Sequence, residues 1–344
     1  MTRRAAILCC VALAAVTVAG CRSESRDAAT DSDAISGDLI LFHAGSLTVP
    51  LQEVSKLFMA RYPGVTVKAE AAGSRQCARK ISDLGRPGDV FASADYRVAQ
   101  NLLMLKFARF NIRFAANEMV IAYTDRSIGG ESISTDNWPE IVLRRDVACG
   151  RSDPNSDPCG YRTLMMFQLA ERHYGIDHLA DKLAGRRWHI RPKETDLLVL
   201  LEMGEIDYLF IYRSVAAQHG LKMVLLPDEV NLRSPVLAEV YRSAAVPVTG
   251  KRPGETITRV GEPIVYSVTI PTTAENPKAA EAYIALLLSP AGQAIMARHG
   301  QPSVDAVADE YDNLPPVLQA LCTPAGPAAT GTHDDDATVA PAQR

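Results

Sequence analysis

Two short segments carry polar groups suited to holding a small anion. His43-Ala44-Gly45-Ser46-Leu47 follows the apolar run DLILFH and leads into a stretch with Pro50 in its first turn. Ala71-Ala72-Gly73-Ser74 repeats the arrangement before a second helical stretch. In each, glycine allows close backbone approach and serine is a favoured N-cap, so free N–H groups and a hydroxyl point out of a helix start. Such a start binds an oxyanion through hydrogen bonds and the helix dipole, without a positive side chain. Either junction alone is an ordinary N-cap. Two of them at the ends of neighbouring strands point to one shared site, because ligands of open α/β sheets lie beyond the carboxyl ends of the strands. A third loop, Asp153 to Arg162, also enters a helix; taken alone, Asp157 before Pro158 is a turn starter.

The elements that position these residues alternate between short apolar runs and amphipathic stretches, the pattern of an α/β protein. Strands are expected at 38–43, 65–72 and 89–94, with helices between them marked by Leu51, Val54, Leu57 and Phe58 and by Cys77, Ile81 and Leu84. Met119 to Thr124 reads as a strand crossing into a second domain. That domain is expected to hold a helix over 137–143, a loop over 150–160, helices over 161–174 and 195–203, and strands over 208–212 and 222–226. Pro263 to Pro271 is the expected return crossing, and helices at 279–288 and 291–298 rejoin the first domain. The expected organisation is 38–121 with 268–322 as lobe I and 122–267 as lobe II.

The two ends read differently from this core. Arg3 and Arg4, the apolar run Ala5–Ala19 and the small residues before Cys21 make residues 1–21 a secretory leader, too short to span a bilayer. Small residues ending in cysteine resemble a bacterial lipobox, so Cys21 is the expected lipidated first residue, holding the protein at the membrane surface. Residues 22–37 are the expected tether, and residues 323–344, with Asp334-Asp335-Asp336, an expected disordered tail. The 36 Lys and Arg against 40 Asp and Glu give a net charge of −4 with no basic cluster, which argues against nucleic acid as a partner. Cys77, Cys149, Cys159 and Cys322 permit up to two disulfides outside the cytoplasm, with the pairing open. A zinc site is not expected, since no CxxC occurs and His173 and His178 are five apart.

FHAGSLTVP, EAAGSRQCARKI, DVFASADY, SDPCGYRTLM, GEIDYLFIYRSVAAQHGL and PIVYSVTIP follow one another in this order. Over about residues 38–300 the chain thereby resembles the archaeal-type molybdate/tungstate-binding proteins of ABC importers. The resemblance implies a type II periplasmic-binding-protein fold: two α/β lobes joined by crossover strands, with the oxyanion in the cleft. It implies hydrogen bonds from Ser46 and Ser74 to oxo groups and a further oxo contact at Tyr212. Asp157 and Glu194 match the two carboxylates that complete a distorted octahedron around the metal of the oxyanion. It also implies a monomer, tethered outside the cytoplasm, that needs no cofactor and delivers its ligand to an ABC permease and its ATPase. The chain departs from the family at Asp153 and Ser156, where members often carry Asn and Asp, and in a shorter stretch before Glu194.

Chemistry gives the carboxylates an independent meaning. Pointed at an oxyanion they repel it, unless its central atom can accept more oxygen ligands. Molybdenum(VI) and tungsten(VI) expand from four to six coordination; sulfur and phosphorus in sulfate and phosphate do not, so the same acids reject those ions. The competing readings are a receptor for sulfate, phosphate or ferric iron, for which Tyr212 lacks an evident second tyrosine, and, more remotely, a hydrolytic enzyme. No nucleophile–base pair supports the enzyme.

Overall fold

The computed structural model describes residues 35–252 and 254–326; the leader, Cys21, most of the tether and the Asp334–Asp336 run lie outside them. Fourteen strands form among the described residues: β1 (Gly37–Ala44), β2 (Val65–Ala72), β3 (Val90–Ser93), β4 (Asn111–Ala116), β5 (Met119–Tyr123), β6 (Cys149–Ser152), β7 (Trp188–Arg191), β8 (Tyr208–Tyr212), β9 (Lys222–Leu225), β10 (Ala245–Thr249), β11 (Thr256–Val260), β12 (Val265–Thr269), β13 (Ser303–Asp309) and β14 (Thr323–Pro324). They build a seven-stranded sheet in the order β14-β13-β4-β12-β3-β1-β2, a five-stranded sheet in the order β7-β6-β8-β5-β9, and the hairpin β10-β11.

The seven-stranded sheet begins as β-α-β-α-β. β1 pairs in parallel with β2 from Gly37–Val65 to Ala44–Ala72, and with β3 on its other side. The buried strand β1 and the edge strand β2 both end in the small residues that let the chain turn straight into a helix. The helix Thr48–Arg61 buries Leu51, Val54 and Phe58, the stripe its spacing calls for, and the helix Ser74–Ser82 buries Cys77 and Ile81. β12 then runs antiparallel between β3 and β4. In the second sheet β5 pairs antiparallel with both β8 and β9, while β6 runs parallel to β7 and β8. The helix Pro158–Tyr174 covers this sheet with Met165, Met166, Leu169 and Ala170 buried, and ends at Gly175 with φ 63°.

Three expectations shift. β5 pairs along its whole length in the five-stranded sheet and β12 wholly in the seven-stranded one, so the chain crosses at Asn117–Glu118 and again just before Val265, a few residues before the expected boundaries. The expected loop 150–160 opens as strand β6. Its Arg151 is polar in sequence but buried, with the guanidinium 5.7 Å from the Trp188 ring centre, so tertiary packing overrides the local signal. Thr323 and Pro324, assigned to the tail, pair with Val307 and Ala308, and the Ala325 N–H donates to Ala308 O at 2.9 Å. Among the described residues no disulfide forms, and Cys77, Cys149, Cys159 and Cys322 are free thiols.

Candidate functional site

β1 and β2 each deliver one serine to the face between the two sheets. Ser46 follows β1 in a short 3-10 turn and Ser74 opens the helix after β2; both are fully buried. Neither hydroxyl caps its helix. Ser46 Oγ instead accepts from the Tyr266 hydroxyl at 3.0 Å, and its carbonyl accepts from Gln301 Nε2 at 2.8 Å. Ser74 Oγ accepts from the Ala94 N–H at 3.0 Å, beyond the end of β3.

Two carboxyl groups face these serines from the other body. Asp157 is the N-cap of the helix Pro158–Tyr174, where one oxygen accepts from the Cys159 N–H at 3.3 Å and the other from the Glu194 N–H at 3.2 Å. Glu194 opens a 3-10 turn after β7. Both residues are 1% exposed, and among the described residues the Glu194 oxygens meet no N–H or hydroxyl donor, only the Asp157 carboxyl. Burial, with the adjacent Asp157 carboxyl, pushes the Glu194 acid well above the ordinary range, and burial raises that of Asp157. The two bodies meet closely here. A Cβ on Gly45 would lie 3.2 and 3.3 Å from the Glu194 oxygens, and one on Gly73 would lie 2.3 Å from Ser156 O. Glycine at both junctions is what allows this approach.

Tyr212 ends β8 and is fully buried; its hydroxyl accepts from Arg162 Nη1 at 2.8 Å. The same Arg162 Nη1 donates to Ala94 O at 2.7 Å, on the peptide next to the Ser74 partner. Arg162 also lies 3.4 Å from Asp95 Oδ2, which Arg259 approaches at 3.5 Å and to which the Tyr161 hydroxyl donates. Burial alone would raise the Asp95 acid, but Arg162 and Arg259 hold it below the usual carboxylate range. Ser46, Ser74, Asp157, Glu194 and Tyr212 therefore lie in one buried constellation closed from both bodies.

Sequence reasoning gave no role to Asp95, Arg162, Tyr266 or Asn117. The first three lie inside segments singled out for their chemistry, and a large or charged residue in DVFASADY, in the first turns after Pro158 or in PIVYSVTIP was the available signal. Asn117 sits at the crossing, with no periodicity around it. Tyr266 also supplies the neighbour that Tyr212 lacked in sequence, with ring centres 6.1 Å apart.

Residues 39–301 match the family described as bacterial extracellular solute-binding protein. An uncharacterized solute-binding protein of Petrotoga mobilis is 51% identical over 273 residues, spanning 79% of this chain and 85% of its own. The molybdate/tungstate-binding protein of Pyrococcus abyssi is 37% identical over 321 residues, 85% of this chain and 92% of its own. Among solved structures, the periplasmic molybdate-binding protein of Azotobacter vinelandii superposes with a TM-score of 0.56 at 19% identity, covering 76% of this chain and 98% of that one. At that identity the likeness is one of fold, the two-lobed α/β fold of solute-binding proteins.

Proposed function

The chain belongs to the bacterial extracellular solute-binding proteins, and on that premise we propose that it captures molybdate or tungstate for an ABC importer. Proteins of this family act outside the cytoplasm and hand their solute to a permease driven by an ATPase. In this reading Ser46, Ser74 and Tyr212 donate hydrogen bonds to oxo groups. Asp157 and Glu194 supply the two oxygen ligands that complete six-coordination at the metal. Cys21, lipidated, tethers a monomer that carries out no catalysis, and the seven-stranded and five-stranded bodies act as lobes I and II.

The observation that carries the reading is Glu194: a buried acid whose oxygens meet no N–H or hydroxyl donor among the described residues, set against Gly45 and hydrogen-bonded only to the Asp157 carboxyl. A buried acid is costly unless something binds it, and a central metal atom with open coordination positions is such a partner. Sulfate and phosphate offer no such positions and meet two acids instead. Ferric iron fares no better, because ferric ligation by Tyr212 and Tyr266 needs phenolates. Both oxygens already accept hydrogen bonds, that of Tyr266 from Asn117 and that of Tyr212 from the Arg162 guanidinium, whose positive charge opposes a trivalent cation. Hydrogen bonds to a charged group contribute about 1.5–3 kcal/mol each, so the three hydroxyls and two metal–oxygen bonds support affinity on the order of nM.

Calorimetric titration with molybdate, tungstate and sulfate tests this. Tight binding of the first two is expected, none of sulfate, and loss of that discrimination in Asp157→Ala and Glu194→Ala. Full selectivity in both variants would overturn the six-coordinate site.

A further inference from the structure

Each hydroxyl assigned to the ligand already receives a hydrogen bond. Ser74 receives one from the Ala94 N–H and Tyr212 one from the Arg162 guanidinium, groups that can only donate. A hydroxyl has a single hydrogen, so one that is already accepting keeps it for the ligand. Ser46 differs, because its incoming donor is another hydroxyl, that of Tyr266, whose direction must itself be set.

Asn117 sets it. Its Oδ1 accepts from the backbone N–H of Glu118 at 2.9 Å and of Ser214 at 3.4 Å, which fixes the orientation of the amide. Its Nδ2 therefore faces the Tyr266 hydroxyl at 2.8 Å and Ser214 Oγ at 2.7 Å. Receiving from an NH₂ group, the Tyr266 hydroxyl sends its own hydrogen on, and Ser46 Oγ lies 3.0 Å away to accept it. Asn117 is 3% exposed and Ser46, Ser214 and Tyr266 are fully buried, so bulk water does not compete for these bonds. The relay starts at the peptide where the chain crosses between bodies, passes through β12, and takes in Ser214 just beyond β8.

We propose that Asn117 is a positioning residue: through Tyr266 it makes the Ser46 hydroxyl an obligate donor toward the bound oxyanion. This rests on the function proposed above and names what orients one of its contacts.

The test is a cycle of molybdate affinities for the full chain and for Asn117→Ala, Tyr266→Phe, Ser46→Ala, Asn117→Ala/Ser46→Ala and Tyr266→Phe/Ser46→Ala. Ligand-free thermal unfolding checks each fold. Asn117→Ala and Tyr266→Phe are each expected to weaken binding about ten-fold in the wild-type background and less than about two-fold once Ser46 is alanine. If Asn117→Ala costs the same factor in both backgrounds, Asn117 acts through the crossing and not through Ser46, and the relay is wrong. If the unsubstituted protein binds neither molybdate nor tungstate, the proposed function falls and the relay with it; tight binding with an additive cycle sinks the relay alone. Should Asn117→Ala not fold, Asn117→Ser, too short to reach Tyr266, enters the same cycle with the same two outcomes.

Discussion

Glu194 shows a residue kept at a cost to the fold. An acid this deep, met on its oxygens only by a second carboxyl, that of Asp157, destabilises the ligand-free protein, and an apolar group of similar volume removes that penalty. Glu194→Met is therefore expected to raise the ligand-free melting temperature by a few degrees, corresponding to about 1–2 kcal/mol. It should also abolish the further rise that molybdate gives the wild type. A thermal scan with and without molybdate reads both; a variant that melts lower and still responds to the ion would show that Glu194 is structural. His43 carries the opposite lesson, a titratable group outside the proposed contacts that links stability to pH. Its ring is buried beside Ala44 O at 2.8 Å, and burial lowers its pKa to about 4. The folded state thus binds fewer protons than the unfolded one between that value and the ordinary 6.5. Its contribution is complete above about pH 6.5 and is lost as pH falls toward 4. Urea unfolding at pH 7 and pH 4.5 should show His43→Gln losing about 2 kcal/mol less than the wild type over that interval. Equal losses would remove His43 as the cause.

At the scale of elements, the two strand-to-helix junctions work only because their glycines let one body touch the other. Gly73→Ala would place a methyl 2.3 Å from Ser156 O, which is backbone and cannot step aside. The expected result is a protein that folds with near-native stability but cannot bring the bodies together, so molybdate affinity drops at least 100-fold with little change in the ligand-free melting temperature. An unchanged affinity would mean that the junction tolerates separation. These junctions were legible in sequence because each joins a short strand, a small-residue turn and an amphipathic helix, all local signals. β2 and β8 were readable to the residue for the same reason. β6 was not, since Arg151 disguises a buried strand, and neither was the edge strand β7, whose pairing is nonlocal. In the site, the candidate ligand contacts could be named from motif segments. The groups that orient them could not, because Asn117, Tyr266 and Ser46 meet only when strands far apart in sequence pair.

At the scale of the whole molecule, the question is what holds the two bodies together. Asp95, on the seven-stranded body after β3, faces Arg162 and Tyr161 on the helix covering the five-stranded sheet and Arg259 on β11. Arg75 and Arg79 reach the same way, Arg75 Nε to Asn155 O at 3.1 Å and Arg79 Nη2 to Gly250 O at 2.6 Å. Removing Asp95 leaves Arg162 buried without a carboxylate and Arg259 with Glu262 alone, at 3.3 Å, a penalty of about 3–5 kcal/mol when one partner of a buried pair is lost. Separation of the bodies relieves it by returning both guanidinium groups to water. Asp95→Ala should therefore shift the ligand-free population toward the open form and raise the apparent dissociation constant for molybdate in proportion to the closed fraction lost. That penalty, at about 1.4 kcal/mol per ten-fold, sets an upper bound of about 10² to 4 × 10³ on the factor. Because Asp95 is not among the proposed ligand contacts, saturating molybdate should still close the variant. Small-angle scattering checks this: a larger radius of gyration than wild type without ligand, converging on the wild-type value at saturation. If the variant is as compact as wild type without molybdate and binds it as tightly, the Asp95 cluster stabilises one body and not the union of two, and closure must rest on the ligand and the glycine contacts alone.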